Sequence, residues 1–237
     1  MAKTVIALDL YGTLLSTASI AKELASHFGQ DKAASIAAVW RKYQLEYTWR
    51  LNSMGRYEHF SEVTRKSLLH ALAEHGESLS DTDTDEILGA YDSLSTFPDV
   101  NPALSRLAEN TAIECVVFSN GTKSMVSNSV NRSSDLNSSV FKDMITVDAV
   151  EVFKPAPEVY KYLAQRVDKV GQESSLWLVT ANPFDVTGAR AAGIQAAWVD
   201  RAGTGWQDKL GEGPTVVVRS LEEVADAVEK YTVNPHE

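Results

Sequence analysis

Cysteine is all but missing from this 237-residue chain, in which Cys115 stands alone. A single thiol closes no intramolecular bridge, so a disulfide-stapled secreted scaffold is excluded. Cys115 lies in the apolar run 113–118 and reads as a small buried hydrophobe. Basic residues are also short. Lys and Arg total 22 against 32 Asp and Glu, a formal net charge of −10. A nucleic-acid partner calls for the opposite balance, clustered for phosphates; the acidity here serves solubility. No apolar stretch approaches the roughly 20 residues that cross a bilayer, so no membrane partner is expected. The first apolar run meets Asp9 too early for a secretory signal, which points to the cytoplasm. Gly-x-Ser-x-Gly, Walker A and Gly-x-Gly-x-x-Gly patterns are all missing. None of the five histidines (His27, His59, His70, His75 and His236) follows a strand-like run, which argues against a His-based triad.

What is present is a series of short β-prone runs. Val5–Leu8, Cys115–Phe118, Leu176–Val179 and Ala196–Val199 are apolar throughout, as in strands buried on both faces. A fifth run, Thr215–Val218, precedes a final amphipathic segment, Leu221–Tyr231. Helical spacing recurs between the runs, for example in Pro157–Val167. The alternation predicts an α/β fold with a doubly wound, Rossmann-like parallel sheet. One region breaks it. From 17 to 96 no strand is evident, while Ile20–Phe28, Lys32–Leu51, Phe60–His75 and Thr84–Ser95 carry helical periodicity. This predicts a helical cap, 17–96, inserted into a core built from 1–16 and 97–237. The prolines of Phe97-Pro98-Asp99-Val100-Asn101-Pro102 mark its exit. The Ser/Asn-rich stretch 127–139 reads as a helix end and a loop.

Ligands of such sheets sit at the carboxyl ends of the strands, so the residue after each strand matters most. The first strand runs into Asp9-Leu10-Tyr11-Gly12-Thr13-Leu14, a carboxylate followed by a turn glycine and a hydroxyl. The second ends at Ser119-Asn120-Gly121. Lys154-Pro155 precedes a helix, and Thr180-Ala181-Asn182-Pro183-Phe184-Asp185 follows a later strand. Singly, each reads as a turn, a cap or a surface pair. In this order, nucleophilic Asp, then Ser/Thr, then Lys, then an acidic residue, they resemble the four motifs of the haloacid dehalogenase superfamily.

Within that superfamily the details resemble the L-2-haloacid dehalogenases. The related phosphatases place a second Asp two residues after the nucleophile, where this chain has Tyr11, and hold Mg²⁺ on an acidic cluster where this chain offers only Asn182 and Asp185. Trp40-Arg41, Gln44–Trp49 and Met54-Gly55-Arg56-Tyr57 resemble the dehalogenase cap. Lys154 with Tyr160 six residues on, and Asn182-Pro183-Phe184-Asp185, resemble its later motifs. Thr180 departs from the family's usual Ser by a methyl that would narrow the pocket. Lys42-Tyr43 departs from Gln-Lys.

The resemblance implies hydrolysis of a short (S)-2-haloacid to the (R)-2-hydroxyacid with inversion at C2, with neither metal nor cofactor. Asp9 would attack C2 and form an ester that water then cleaves at the Asp9 carbonyl carbon. Thr13 and Thr180 would orient Asp9, and Lys154 would keep it ionised. Asp185 with Asn182 would activate water. Arg41 would meet the halide or the carboxylate. Ser119 would hold the carboxylate, while Asn120 and Phe184 would contact the halogen. Tyr11, Leu45, Phe60 and Tyr160 complete the substrate-binding set. Trp40, Tyr47 and Trp49 read as helix packing. The family also implies a homodimer. The alternative is the same fold acting on another electrophile, a phosphate ester or a strained cyclic amino acid.

Overall fold

A computed structural model describes residues 3–133 and 136–233; His236 and part of the 127–139 stretch lie outside them. The first apolar run forms β1 (Thr4–Leu8), and β2 (Ile113–Ser119) pairs with it in parallel. After β3 (Phe141–Thr146) come β4 (Leu176–Thr180), β5 (Gln195–Val199) and β6 (Val216–Val218). The six strands form one parallel sheet in the order β3-β2-β1-β4-β5-β6. Sequence reasoning did not single out β3. It is an edge strand interrupted by two charges, exposed Lys142 and half-buried Asp143, so no continuous apolar run announces it.

Parallel strands need crossovers, and these are right-handed almost without exception. Because the order runs outward in both directions from β1, the crossovers cover both faces of the sheet, which is the doubly wound arrangement. They carry α5 (Val100–Glu109), α6 (Lys123–Arg132), α7 (Pro157–Arg166) and α8 (Pro183–Ala191); α9 (Val224–Val233) follows β6. Pro157 and Pro183 each sit in the first turn, where no backbone donor is lost. Pro102 also falls inside a first turn, that of α5, so the linker leaving the helical insert is shorter than the proline pair suggested.

The insert itself contains α1 (Ala21–Phe28), α2 (Gln30–Ser53), α3 (Phe60–Glu74) and α4 (Asp81–Ala90), with no strand element among its described residues. Gly29, at φ 75°, separates α1 from α2. Along α2 the buried positions Ala33, Ile36, Ala37, Trp40, Gln44, Thr48 and Leu51 recur every three to four residues and meet α3. Trp40 is nearly fully buried, and its indole N–H donates to the carbonyl of Thr64 at 2.9 Å. The two chain crossings between core and insert run side by side. Phe97 N–H donates to Leu14 O and Ser16 N–H to Ser95 O, and Leu15 bridges Thr96. Arg201, beyond β5, ties both crossings together by donating to Thr13 O and to the Asp99 carboxylate.

Two helical glycines make opposite predictions. A Cβ on Gly188 of α8 would come within 2.7 Å of Pro155 Cβ and 2.4 Å of the Tyr160 hydroxyl, whereas nothing lies within 4 Å of one on Gly89 of α4. Gly188→Ala is expected to cost about 1–3 kcal/mol through overpacking. Gly89→Ala should stabilise by about 0.5–1 kcal/mol through helix propensity. Urea unfolding midpoints that moved the same way in both variants would contradict this packing.

Candidate active site

The strand order reverses at β1, so the carboxyl ends of β1, β2 and β4 open onto one crevice. Asp9 follows β1, Ser119 ends β2 and Thr180 ends β4. The turn after Asp9 is tight, with Leu14 N–H donating to Leu10 O and Gly12 N–H to Leu15 O. Gly12 takes φ 88° there, in a region open to glycine at no steric cost. Thr13 is thereby brought back over Asp9.

The two oxygens of Asp9 are treated differently. Oδ2 accepts from Thr13 Oγ1 at 2.8 Å, from Asn182 Nδ2 at 2.7 Å and, more weakly, from Thr180 Oγ1 at 3.4 Å. Oδ1 accepts from Lys154 Nζ alone, at 3.1 Å, among the described residues. The carboxylate is therefore held by one oxygen and keeps lone-pair capacity on the other.

Lys154 Nζ also donates to Asp185 Oδ2 at 2.9 Å and to Phe118 O at 2.8 Å, using all three of its protons, and lies 4.2 Å from the centre of the Phe118 ring. Lys154 and Asp185 are essentially inaccessible to solvent, and Asp9 is 6% exposed. Burial on its own would push the lysine's pKa down. The charges of Asp185 and Asp9, with hydrogen bonds to both, override it and hold the ammonium above its ordinary value. Burial pushes Asp185 up, opposed by the charge of Lys154 and reinforced by that of Asp9.

Arg41, on α2, reaches the site from the opposite side. Its guanidinium donates to Gln44 Oε1 at 2.7 Å, Tyr11 O at 3.2 Å and Asn182 Oδ1 at 3.5 Å. All three acceptors are neutral, so its positive charge stays available to an anion. Buried Gln44 is held in turn by Tyr91 and Thr64. From sequence Gln44 stood only as a member of the cap stretch Gln44–Trp49, with no role of its own, and Tyr91 was not singled out. The available signal was a polar residue, Gln44, on the face of α2 that otherwise buries Ile36, Ala37 and Trp40.

Asp9, Arg41, Ser119, Asn120, Lys154 and Asn182 share a cavity of about 10 Å³ with Tyr11, Leu45, Phe60 and Phe184. That is room for about one water molecule. Ser119 Oγ accepts from Gly121 N–H, and Asn120 Oδ1 accepts from Lys154 N–H, which leaves the Asn120 amide group as a donor. Tyr11 packs between Phe60 and Tyr91, its hydroxyl paired with Ser129. A larger groove of about 610 Å³ lies beyond Phe184, bounded by Trp49, Asn52, Pro155 and Leu210 among others. It holds neither the paired carboxylates nor the two cations, so the smaller cavity is the chemical site.

The structure corrects three expectations. Tyr160 does not line the cavity: it stands behind Asp185, donating to Oδ1 at 2.7 Å, with its ring edge-on to Phe118. Thr180 is fully buried and does not border the cavity either, so its extra methyl leaves the pocket's width alone. Trp49 is not packed within the insert; it is 40% exposed and meets Phe184 of α8 edge-on. Lys42 points outward over the Tyr43 ring, away from the site. Among the histidines, His59 lies near Asp148, His70 pairs with Tyr47 and His75 with Ser35.

A divalent cation does not fit this donor set. The Lys154 ammonium already bridges the two carboxylates that would ligate it, and Tyr11 presents a packed ring in place of a third.

A sequence profile of the haloacid dehalogenase-like hydrolases matches residues 3–193. The chain is 36% identical to (S)-2-haloacid dehalogenase H-109 of Pseudomonas putida, over 93% of this chain and 96% of that one. It is 30% identical to haloacetate dehalogenase H-2 of Moraxella sp. strain B, over 94% and 96%. Among solved structures, it is similar to the L-2-haloacid dehalogenase of Xanthobacter autotrophicus with chloropropionic acid covalently bound. That match has 28% identity and a TM-score of 0.86, and covers 97% of this chain and 99% of the other.

The buried ion cluster predicts how a variant responds to pH. In Lys154→Met the carboxyl of Asp185, already pushed up by burial, loses the charge that opposes the push. The folded state would then keep a proton that the unfolded chain releases near the ordinary carboxylate value of about 3.9. Between those two values the folded state binds more protons, so stability falls as pH rises. The deficit relative to the parent should be about 3–5 kcal/mol at pH 8 and clearly smaller at pH 5. Urea midpoints showing an equal deficit at both pH values would contradict the electrostatic reading.

Proposed function

The chain belongs to the haloacid dehalogenase-like hydrolases, and from that premise we propose that it hydrolyses short (S)-2-haloalkanoic acids to (R)-2-hydroxyacids through an ester on Asp9. The observation that carries the reading is the asymmetry of Asp9: one oxygen is held by Thr13 and Asn182, while the other faces only the Lys154 ammonium. A carboxylate fixed in this way is oriented for attack without being smothered by donors. The relatives named (S)-2-haloacid dehalogenase support the choice of substrate.

Oδ1 of Asp9 attacks C2 from the side opposite the halogen. The C–X bond breaks, halide departs with its electron pair, and an ester joins Asp9 to C2. Arg41, whose charge has no carboxylate partner among the described residues, receives the halide or the substrate carboxylate. Ser119 and the Asn120 amide offer further donors to the carboxylate and the halogen, and Phe184, Leu45 and Phe60 supply the apolar wall. Water then adds to the Asp9 carbonyl carbon and gives up a proton towards Asp185, Asn182 assisting its placement. The C–O bond between that carbon and the oxygen bound to C2 breaks, that oxygen takes the proton held at Asp185, and the hydroxyacid leaves carrying an oxygen that came from Asp9, while the water's other proton is released to solvent and Asp9 is a carboxylate again. C2 is inverted once, because only the first step touches it. Thr13 and Thr180 orient the carboxylate throughout, and Lys154 neutralises it between steps.

In this reading residues 17–96 act as a cap over a core formed by 1–16 and 97–237, closing the site against bulk water. The resemblance to L-2-haloacid dehalogenases supports a cytoplasmic homodimer.

Two outcomes are expected. L-2-chloropropionate should give D-lactate, with the D substrate turned over at least about 100-fold more slowly, a difference of about 2.7 kcal/mol in transition-state binding; chiral chromatography showing L-lactate would reverse the stereochemical assignment. In a single turnover with excess enzyme in H₂¹⁸O, the hydroxyacid should be unlabelled and the peptide containing Asp9 should carry ¹⁸O. Label in the first-turnover product, or halide release by Asp9→Ala near the parent rate, would remove the covalent mechanism.

A further inference from the structure

Lys154 reaches the carboxylates from a stretch of irregular backbone between a 3-10 turn over Val147–Ala149 and α7. Its own backbone hydrogen bonds are turn contacts, such as Glu151 N–H to Val147 O and Ala156 N–H to Phe153 O. The residue before Lys154, Phe153, has its N–H taken by one side chain from the insert, which also shares its carbonyl with Ala156 N–H. Asn52 Nδ2 donates to Phe153 O at 2.7 Å, and Phe153 N–H donates to Asn52 Oδ1 at 3.0 Å. The next amide, that of Lys154, donates to Asn120 Oδ1 at 2.9 Å. A two-bond amide pairing fixes orientation as well as distance, as a neighbouring strand would.

Asn52 sits in the last turn of α2, eleven residues after Arg41. Eleven residues make about three helical turns, so both side chains issue from one face of α2. Arg41 anchors that face to Tyr11 O at one end of the cavity, and Asn52 anchors it to the lysine segment at the other.

We infer that Asn52 is a positioning residue: from the insert it sets the backbone that carries Lys154, so that the lysine meets Asp9 and Asp185 only while α2 is seated over the site. The inference rests on the dehalogenase reading for its kinetic test and on the geometry alone for its structural test. The groups facing Lys154 are Asp9 after β1, Asp185 on α8 and the Phe118 carbonyl of β2, with Tyr160 of α7 behind Asp185. Displacing the ammonium removes the charge that opposes protonation of Asp185 and removes the carboxylates that hold the lysine's own pKa up. The pH range of activity therefore narrows from both sides.

Asn52→Leu keeps the side chain's size and loses both bonds. Asn52→Ser, too short for the pair, is carried in parallel in case the leucine variant does not fold. Asn128→Ala is the control, since it cuts a different hydrogen bond between core and insert, Asn128 Nδ2 to Asp92 Oδ2 at 2.8 Å, with neither partner bonded to the lysine segment. With L-2-chloropropionate, the Asn52 variants should lose about tenfold or more in kcat, with KM changed less than about twofold, as misplacement of a reacting group does. Their pH–kcat profiles should be narrower, and Asn128→Ala should match the parent. Amide exchange should speed up at Phe153 and Lys154 in the Asn52 variants, with or without substrate. Parent-like kcat and profile in a folded Asn52 variant, or the same narrowing in Asn128→Ala, would overturn the inference. If the parent releases no halide, the dehalogenase reading fails by itself and the exchange data decide the positioning role: unchanged exchange at Phe153 and Lys154 rules it out.

Discussion

One buried ammonium organises this protein. Lys154 has no water to solvate it, and the cost of placing it there is offset only because two carboxylates and a carbonyl converge on its three protons. Those partners come from separate parts of the chain: Asp9 from the end of β1, Phe118 from β2 and Asp185 from α8. The order β3-β2-β1-β4-β5-β6 is what brings them together, because the reversal at β1 leaves a crevice where the strands diverge. Charge balance fixes how the site is finished. The triad alone carries one net negative charge, and the partly buried guanidinium of Arg41 restores neutrality without pairing to a carboxylate. Among the described residues, that guanidinium is hydrogen-bonded to neutral acceptors alone.

The same geometry makes the site small. A cavity of about 10 Å³ cannot hold a substrate of several heavy atoms as it stands. The side of the cavity that the insert supplies is the face of α2 with Arg41 and Leu45, set against Phe184 on α8. Asp9, Phe118 and Asp185 belong to the core, but the backbone that carries Lys154 is bonded to α2 through Asn52, so this side also borders the ion cluster.

Much of this was legible in the sequence, and the reasons differ by residue. Strands buried on both faces leave uninterrupted apolar runs, so β1, β2, β4 and β5 stood out; β3, half exposed at an edge and carrying charges, did not. Asp9, Lys154 and Asp185 were readable because each follows or precedes a regular element at a fixed place in the motif order. Tyr160 was readable as a site residue but not in its role, since nothing in a linear spacing says whether a hydroxyl faces substrate or supports a carboxylate from behind. Asn52 and Gln44 left fainter traces. Each acts through a partner distant in the chain, and an asparagine near a helix end looks like an ordinary cap until its acceptor, 101 residues on, is known. Trp49 was misjudged because it lies off the buried stripe of α2, and helical periodicity does not say that a half-exposed ring will meet another element, here Phe184.

The paired crossings into the insert carry a thermodynamic consequence. Leu14–Ser16 and Ser95–Phe97 lie hydrogen-bonded side by side, and Arg201 braces both through Thr13 and Asp99. From the core's side the whole insert is a loop whose ends are already closed. Loop-closure entropy grows only with the logarithm of length, each doubling adding about 0.6 kcal/mol. The entropy of closing the insert therefore changes little with its length. An insert of another size fits between the crossings at little entropic cost, provided it still presents the α2 contacts, Arg41 to Tyr11 O and Asn52 to Phe153, that border the buried ion cluster.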